Sequence, residues 1–195
     1  MAFKLKSYIY SREAENRGIN NMPGVDVGSD PKLTPEYIIG NLELLHNKVV
    51  DPIMRHFNNL EGSSGNSIGV TSVYRCKELN EVVGGVETSQ HIQGMACDII
   101  YTEGFASEVY NWAINNLPTW NQIIWEFPEK GQFSSGNTDS EWVHVAYNEN
   151  DNKKTKSLAS EKENLHEYYK NNESSRRGQY THDLEEEANQ LIVFN

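Results

Sequence analysis

Residues 89–100 read Ser-Gln-His-Ile-Gln-Gly-Met-Ala-Cys-Asp-Ile-Ile, and we expect them to form the centre of the fold. Gly94 permits a turn of the backbone, and the apolar pair that follows Asp98 is typical of a buried strand. The separation of His91 from Asp98 does not fit one helix face, where ligands recur about three or four residues apart. We therefore predict that the two side chains meet through a turn at Gly94 and bind one metal ion.

The segment 141–147, Glu-Trp-Val-His-Val-Ala-Tyr, supplies the best candidate for a third ligand. Its β-branched and aromatic residues predict a strand, in which alternation places His144 on the same face as Trp142. Two imidazoles and one carboxylate, with a fourth position left for water, form a ligand set suited to catalytic zinc. Cys76 and Cys97 are too far apart for the paired cysteines of a structural zinc site, and we expect both to be buried core residues.

Further motifs occur in a fixed order around these ligands. The series consists of Ser72-Val73-Tyr74-Arg75, Leu79-Asn80 followed by Val83-Gly84-Gly85, the Ser-x-His-x-x-Gly-x-Ala-x-Asp of residues 89–98, Asn-Gln-Ile-Ile-Trp-Glu-Phe at 121–127, and Trp-Val-His-Val-x-Tyr at 142–147. In order and spacing it resembles the zinc D-alanyl-D-alanine carboxypeptidases and their phage endolysin relatives, which share their fold with the hedgehog signalling domain. The resemblance covers roughly residues 30 to 147, and five ordered motifs are much rarer by chance than any one of them.

The resemblance implies a zinc-dependent peptidase with a hedgehog/DD-peptidase-like fold, in which Zn²⁺ is held by His91, Asp98 and His144. Such an enzyme also needs a general base, and two glutamates compete for that role. Glu126 occupies the place of the functional glutamate in endolysin-type sequences, whereas Glu141 matches the Glu-x-x-His spacing of a dipeptidase branch. Glu126 is the first choice and Glu141 the second, and we expect the other carboxylate to be solvated at the rim.

Four residues are candidates for substrate binding. Arg75 matches the arginine of the family, whose forked donors suit a carboxylate or a carbonyl oxygen, although a structural ion pair is the alternative. Ser89 and Gln90 are expected to add hydrogen bonds near the metal. Trp142 shares the face of His144 and is interpreted as a wall of the cleft, with a core position as the alternative.

Local patterns predict an α+β domain with helices packed on an antiparallel sheet. Thr34 as N-cap and Pro35 begin a long amphipathic helix, which we expect to be kinked near Pro52. A short strand is predicted near residues 4–10. The other predicted elements are strands at 68–74, 122–127 and 142–147 and helices at 77–83 and 106–117.

We divide the chain into an N-terminal strand and loop over residues 1–31, a zinc peptidase domain over 32–147 and a polar tail over 148–195. From Asn148 onward the composition shifts to Asn, Lys, Glu and Ser, and residues 157–170 have a weak helical pattern. The tail is expected to be solvated and partly helical, with a partner-binding peptide as the alternative.

The net charge of −11 over 195 residues argues against nucleic acid as a partner, because phosphate binding needs clustered Lys and Arg. No apolar run is long enough for membrane insertion, and the first residues lack the apolar region of a signal peptide. We expect a monomer that is made in the host cytoplasm without a signal peptide and acts on the bacterial cell wall.

The leading interpretation is a zinc metallopeptidase that hydrolyses the peptide stems of bacterial peptidoglycan, similar to a phage endolysin. The sequence leaves open whether such an enzyme removes a terminal D-alanine or cuts between L-alanine and D-glutamate. Two alternatives are a non-catalytic zinc-containing binding module and a virion structural protein that carries this domain.

Overall fold

The structure is a computed structural model, and it describes residues 2–25, 31–127, 130–133, 140–149 and 155–158, the last of these by backbone alone. Helices and strands are mixed in one α+β fold, which confirms the predicted fold class. Within the described residues, no helix combines the length and the apolar character needed to cross a lipid bilayer.

A five-stranded sheet forms the centre of the described fold. Its strands are β1 (Ile68–Ser72), β2 (Ala96–Tyr101), β3 (Gln122–Glu126), β4 (Trp142–Ala146) and β5 (Thr155–Leu158). In space they follow the order β1-β2-β4-β3-β5, with antiparallel pairing among the first four. The predicted antiparallel sheet is thus confirmed for four strands, and β2 and β4 lie side by side within it.

The two faces of this sheet differ in chemistry. Alternate side chains, such as Ile99 on β2 and Val143 and Val145 on β4, face the hydrophobic core, where they meet residues of the helices. Asp98 and His144 take the intervening positions and line a cavity on the other face. Burial of the apolar face therefore fixes the register that presents the polar residues on the opposite side.

Six α-helices accompany this sheet in the described residues, and one of the two longest begins where the sequence predicts. They are α1 (Leu5–Ile9), α2 (Arg12–Arg17), α3 (Pro35–Leu45), α4 (Asp51–Phe57), α5 (Lys77–Val82) and α6 (Ala106–Asn116). The hydroxyl of Thr34 accepts a hydrogen bond from the Tyr37 N–H, and Pro35 lies in the first turn of α3. The predicted N-cap is thereby confirmed, since the side chain pairs a backbone donor that the helix itself cannot use.

A π-helical segment, His46–Val50, joins α3 to α4. Pro52 has no N–H to donate to the preceding turn. Just before it, the Asp51 N–H donates to the His46 carbonyl in the wider π-type pattern. The structure thus accommodates the proline through a change of hydrogen-bond register in the helix.

The strand predicted near residues 4–10 is wrong, because this segment forms α1, which is followed by α2. Tyr8 is buried in the hydrophobic core, and its carbonyl accepts a hydrogen bond from the Tyr74 N–H. Tertiary contacts of this kind decide the structure of so short a segment, since a single helical turn has little stability of its own. The N-terminal segment therefore shares one core with the rest of the described fold.

A parallel strand, β5, lies in the segment that the sequence predicts to be a partly helical tail. It pairs with β3, so residues 157–158 belong to a strand and not to the predicted helical stretch. A short polar segment gives no signal for such pairing, which depends on the neighbouring strand. The rest of the predicted helical stretch, from residue 159, lies outside the described residues, and the division of the chain into three parts stays a prediction.

Candidate metal centre

The three predicted ligands come together on the polar face of the sheet. Asp98 and His144 are direct cross-strand partners, and Nδ1 of His144 lies 3.1 Å from Oδ1 of Asp98. Nε2 of His91 lies 3.3 Å from the same oxygen. One ligand atom from each residue lies within 4.8 Å of the others, and all three residues are buried. These side chains could hold a metal ion.

A turn at Gly94 brings His91 to this position, as predicted. Gly94 has a φ of +70°, and its N–H donates to the His91 carbonyl. A Cβ at Gly94 would lie 2.8 Å from the carbonyl oxygen of Ile38, so the turn also packs closely against α3. Asn41 of α3 supports the turn, because its amide donates to the Gln93 carbonyl.

The orientation of the His91 ring leaves one nitrogen for a metal. Nδ1 lies 2.6 Å from the carbonyl oxygen of Val73, and since a carbonyl can only accept, Nδ1 carries the proton. Nε2 therefore presents a lone pair toward the Asp98 carboxylate. Burial lowers the pKa of His91 to about 4, which keeps the ring neutral near neutral pH. A histidine held in this way has the tautomer that a metal ligand requires.

The Asp98 carboxylate is held by a cation on its other side. A terminal nitrogen of Arg75 lies 2.6 Å from Oδ2 of Asp98, and both side chains are almost fully buried. Burial alone would raise the pKa of Asp98, but its neighbours, among them the permanently charged Arg75, hold that pKa well below its usual value. Asp98 is therefore ionised, and its Oδ1 is oriented toward the two histidines.

A bulge in β1 helps to position Arg75. The register between β1 and β2 shifts between Val70 and Ser72, so that an extra residue of β1 is inserted beside Asp98. The hydroxyl of Ser72 then accepts a hydrogen bond of 2.8 Å from Nε of Arg75. Of the two interpretations of Arg75, the structural ion pair is present in the structure, whereas its contact with substrate stays a prediction.

Glu126 lies in the site, on the same face of the sheet as His144. In the β3–β4 pair, Ile124 is opposite His144 and Glu126 is opposite Trp142, so the alternation directs Glu126 to the face of the ligands. Its side chain is buried and lines a small cavity, of about 30 Å³, together with the three ligands. This position permits the role of general base, which stays a prediction.

Glu141 lies outside this cavity, and the expectation that the second glutamate is solvated at the rim is wrong. It is only 3 % exposed. One carboxylate oxygen accepts a hydrogen bond of 2.8 Å from the Ala106 N–H at the start of α6, and the other accepts one of 2.9 Å from the Trp125 indole. Burial raises the pKa of Glu141. These contacts make it a structural residue that pairs a backbone donor at a helix N-terminus.

Of the remaining candidates for substrate binding, Ser89 and Trp142 line the small cavity and Gln90 does not. Ser89 lines the small cavity, and its hydroxyl accepts a hydrogen bond of 3.4 Å from the His91 N–H. Gln90 is not among the residues that line the cavity. Its amide donates to the Asn121 side chain at 2.5 Å, and this hydrogen bond connects the turn at Gly94 to the start of β3. Trp142 lines the cavity, and its contact with a substrate stays a prediction.

The sequence motifs give no indication of the role of Asn21, a buried residue of the N-terminal segment. Its amide donates to the carbonyls of Ile9 (2.8 Å) and Tyr74 (3.1 Å), and its Oδ1 accepts from the Cys76 N–H (2.7 Å). Asn21 thereby fixes the backbone on both sides of Arg75. A single asparagine in a loop forms no sequence pattern, and only its burial and its partners identify it.

The described fold buries two histidines and an aspartate around one point beside a cavity, an arrangement that could bind a metal ion. The family model described as Peptidase M15 matches residues 32–123, and this match supports a peptidase M15-like assignment for the chain. The matched region contains His91 and Asp98, while Glu126 and His144 lie beyond its end and are brought to the site by β3 and β4. No curated protein gives a significant match to the chain.

Proposed function

We propose that this protein is a zinc metallopeptidase that hydrolyses the peptide stems of bacterial peptidoglycan, in the manner of a phage endolysin. One observation carries the proposal: ligand atoms of His91, Asp98 and His144 converge within 4.8 Å of one another in a buried site. The Peptidase M15 match over residues 32–123 supports a peptide as the substrate.

The lone pairs at this centre favour a metal ion. With Nδ1 donating to the Val73 carbonyl, a neutral His91 ring directs the lone pair of Nε2 at Oδ1 of Asp98, 3.3 Å away. Two acceptors at this distance repel each other unless a cation lies between them. A proton fits poorly, since burial lowers the pKa of His91 to about 4. Two imidazoles and one carboxylate suit Zn²⁺ with a fourth position left open.

The residues of the site divide the remaining chemistry among them. When bound, zinc lowers the pKa of a coordinated water and polarises the substrate carbonyl. Glu126 shares the cavity with the ligands and in our proposal takes a proton from the attacking water and delivers it to the leaving amine. Arg75 holds Asp98 in place, and its position on the cavity wall also permits a contact with a substrate oxygen.

The cell-wall substrate is supported by the five ordered motifs, whose resemblance is to peptidoglycan-cleaving enzymes. Both the terminal D-alanine bond and the bond between L-alanine and D-glutamate remain candidates. One chain supplies every residue of the site, so a monomer is sufficient for the proposed reaction. We propose that the protein acts on the wall after synthesis in a bacterial host.

The test is the release of new amino groups from purified peptidoglycan. Zinc-loaded protein should release them, chelator-treated protein should not, and zinc added back should restore the release. Glu126→Gln should bind zinc in full and release amino groups about two to four powers of ten more slowly. Mass analysis of the products would then identify the bond that is cut.

Zinc-replete, folded protein that releases nothing from several wall types would contradict the proposal. Retained binding to peptidoglycan in that case would favour a non-catalytic zinc-containing module. Zinc-independent release would instead show a peptidase with a different mechanism.

A further inference from the structure

A large groove lies beside the metal centre, with a volume of about 570 Å³. Asp98, Arg75 and Trp142 line it and also line the small cavity that holds the ligands. The N-terminal segment forms another part of its wall, through Tyr10–Glu13 and Asn16. A molecule that fills the groove would therefore contact both the metal centre and this segment.

The N-terminal wall is fixed to the body of the protein close to Arg75. Tyr8 is buried, and its hydroxyl lies 2.6 Å from Nδ1 of His46. Its carbonyl accepts from the Tyr74 N–H at 3.0 Å, and Asn21 closes the other end of the segment with hydrogen bonds to the same region. Because both ends of the segment are held, the residues between them have a defined position at the groove.

The charged side chains of the groove are paired, with one exception. Arg75 pairs with Asp98, and Glu13 pairs with Arg17. Arg12 is exposed, lines the groove, and has no ion pair or hydrogen bond from its side chain to any residue that the structure describes. An unpaired guanidinium at the groove stands out in a chain whose net charge is −11. It offers a binding site for an anionic group of a ligand.

We infer that Arg12 is a specificity-determining residue that binds a carboxylate of the substrate, at a position in the groove separate from the bond that is cut. The inference rests on the proposed function and extends it. Peptidoglycan stem peptides carry carboxylates at D-glutamate and at the terminal D-alanine, and a forked guanidinium binds such groups through paired hydrogen bonds. Arg12 lies in the N-terminal segment, before residues 32–123 that the family model matches. The proposed binding of a substrate carboxylate is therefore a feature of a segment outside the matched region.

Three soluble stem peptides test the inference. The first has free carboxyl groups at D-glutamate and at the terminal D-alanine, and in each of the others one of these groups is a carboxamide. Arg12→Ala should lower kcat/KM on the free-acid peptide about tenfold, mainly through KM, because the contact is made before and during the reaction. The same variant should change kcat/KM less than about twofold on the peptide whose amide replaces the partner carboxylate.

Two further variants complete the experiment. Arg12→Lys keeps the charge and should recover part of the loss. Lys6→Ala removes one positive charge from an exposed position of the same segment that does not line the groove, and it should leave kcat/KM unchanged on all three peptides. Equal loss on the acid and amide peptides, or no loss at all, would overturn the assignment of Arg12.

Failure of the proposed function gives a different result. If wild-type protein cleaves none of the peptides, the dissociation constants of the three peptides for zinc-loaded wild type and Arg12→Ala still decide the question. Weaker binding of the free-acid peptide by Arg12→Ala, with no change for one amide peptide, would keep Arg12 as a carboxylate site in a binding module. Identical affinities would overturn it.

Discussion

A glutamate is buried on each face of the β3–β4 pair, Glu126 on one and Glu141 on the other, and the two side chains have different neighbours. Glu126 shares a cavity with His91, Asp98 and His144. Glu141 has both carboxylate oxygens satisfied by donors at the start of α6 and on β3. Burial and an acidic side chain are common to both, so neither property identifies a catalytic residue. The face on which each carboxylate lies is what separates their surroundings, one beside the candidate ligands and one beside the start of α6.

Asp98 and Ile99 are neighbours on β2 whose side chains lie on opposite faces of the sheet, so replacing them should have different effects. Asp98→Ala should abolish stoichiometric metal binding and lower activity by about three powers of ten or more, because it removes a ligand and the carboxylate that neutralises the buried Arg75 guanidinium. Ile99→Ala should leave the metal site intact but lower the free energy of unfolding by about 2–5 kcal/mol, because Ile99 is fully buried in the core. Metal analysis, turnover and urea unfolding are measured for both variants.

The circular dichroism spectrum of Asp98→Ala is the control for folding. A folded Asp98→Ala protein that retains one equivalent of metal would remove Asp98 from the ligand set. Loss of metal from a folded Ile99→Ala protein would show that the two faces are not independent.

The second prediction compares the two glutamates directly. Glu126→Gln should lower kcat by about two to four powers of ten and leave metal content and the unfolding midpoint close to those of wild type. Glu141→Gln should change kcat less than about threefold, because its contacts lie on the opposite face. If Glu141→Gln were the slow variant and Glu126→Gln the active one, our assignment of the general base would be wrong.

Much of this comparison is accessible from the sequence. The ligand set follows from His91, Gly94, Asp98 and His144, because a glycine between two polar residues and an alternating strand restrict how these side chains can meet. Period-two alternation also places Glu141 and His144 on opposite faces, since the two residues are three positions apart in the sequence. The same alternation places Glu141 on the core side of the sheet and not at a solvated rim.

Other features depend on contacts that local patterns do not contain. Residues 5–9 form α1 because Tyr8 enters the core and pairs with Tyr74, a residue distant in sequence. The parallel pairing of β5 with β3 depends on the edge that β3 presents. Asn21 acquires its role only through three partners brought together by the fold. Each of these features is determined by tertiary structure, which overrides weak local preferences.

The smallest expected effect concerns the stability of Glu141→Gln. Glutamine offers one acceptor oxygen where Glu141 satisfies two donors, the Ala106 N–H and the Trp125 indole. One buried donor is then left unpaired, and we expect the free energy of unfolding to fall by about 1–3 kcal/mol. Urea unfolding with zinc present measures this loss, and the Glu126→Gln protein is the matched control on the opposite face.

The stability lost in Glu141→Gln should also depend on pH. Burial raises the pKa of Glu141 above its ordinary 4.5, so the unfolded chain releases this proton at a lower pH than the folded protein does. The resulting contribution to stability is complete below pH 4.5 and is lost as the pH rises through the folded pKa. Glutamine carries no such proton, so the stability difference between wild type and Glu141→Gln should be largest in acid and shrink toward neutral pH. Because metal binding and the other titrating groups are common to both proteins, their effects cancel in the difference. A difference that is constant with pH, or that grows toward neutral pH, would mean that the hydrogen bonds to the ionised carboxylate outweigh its burial.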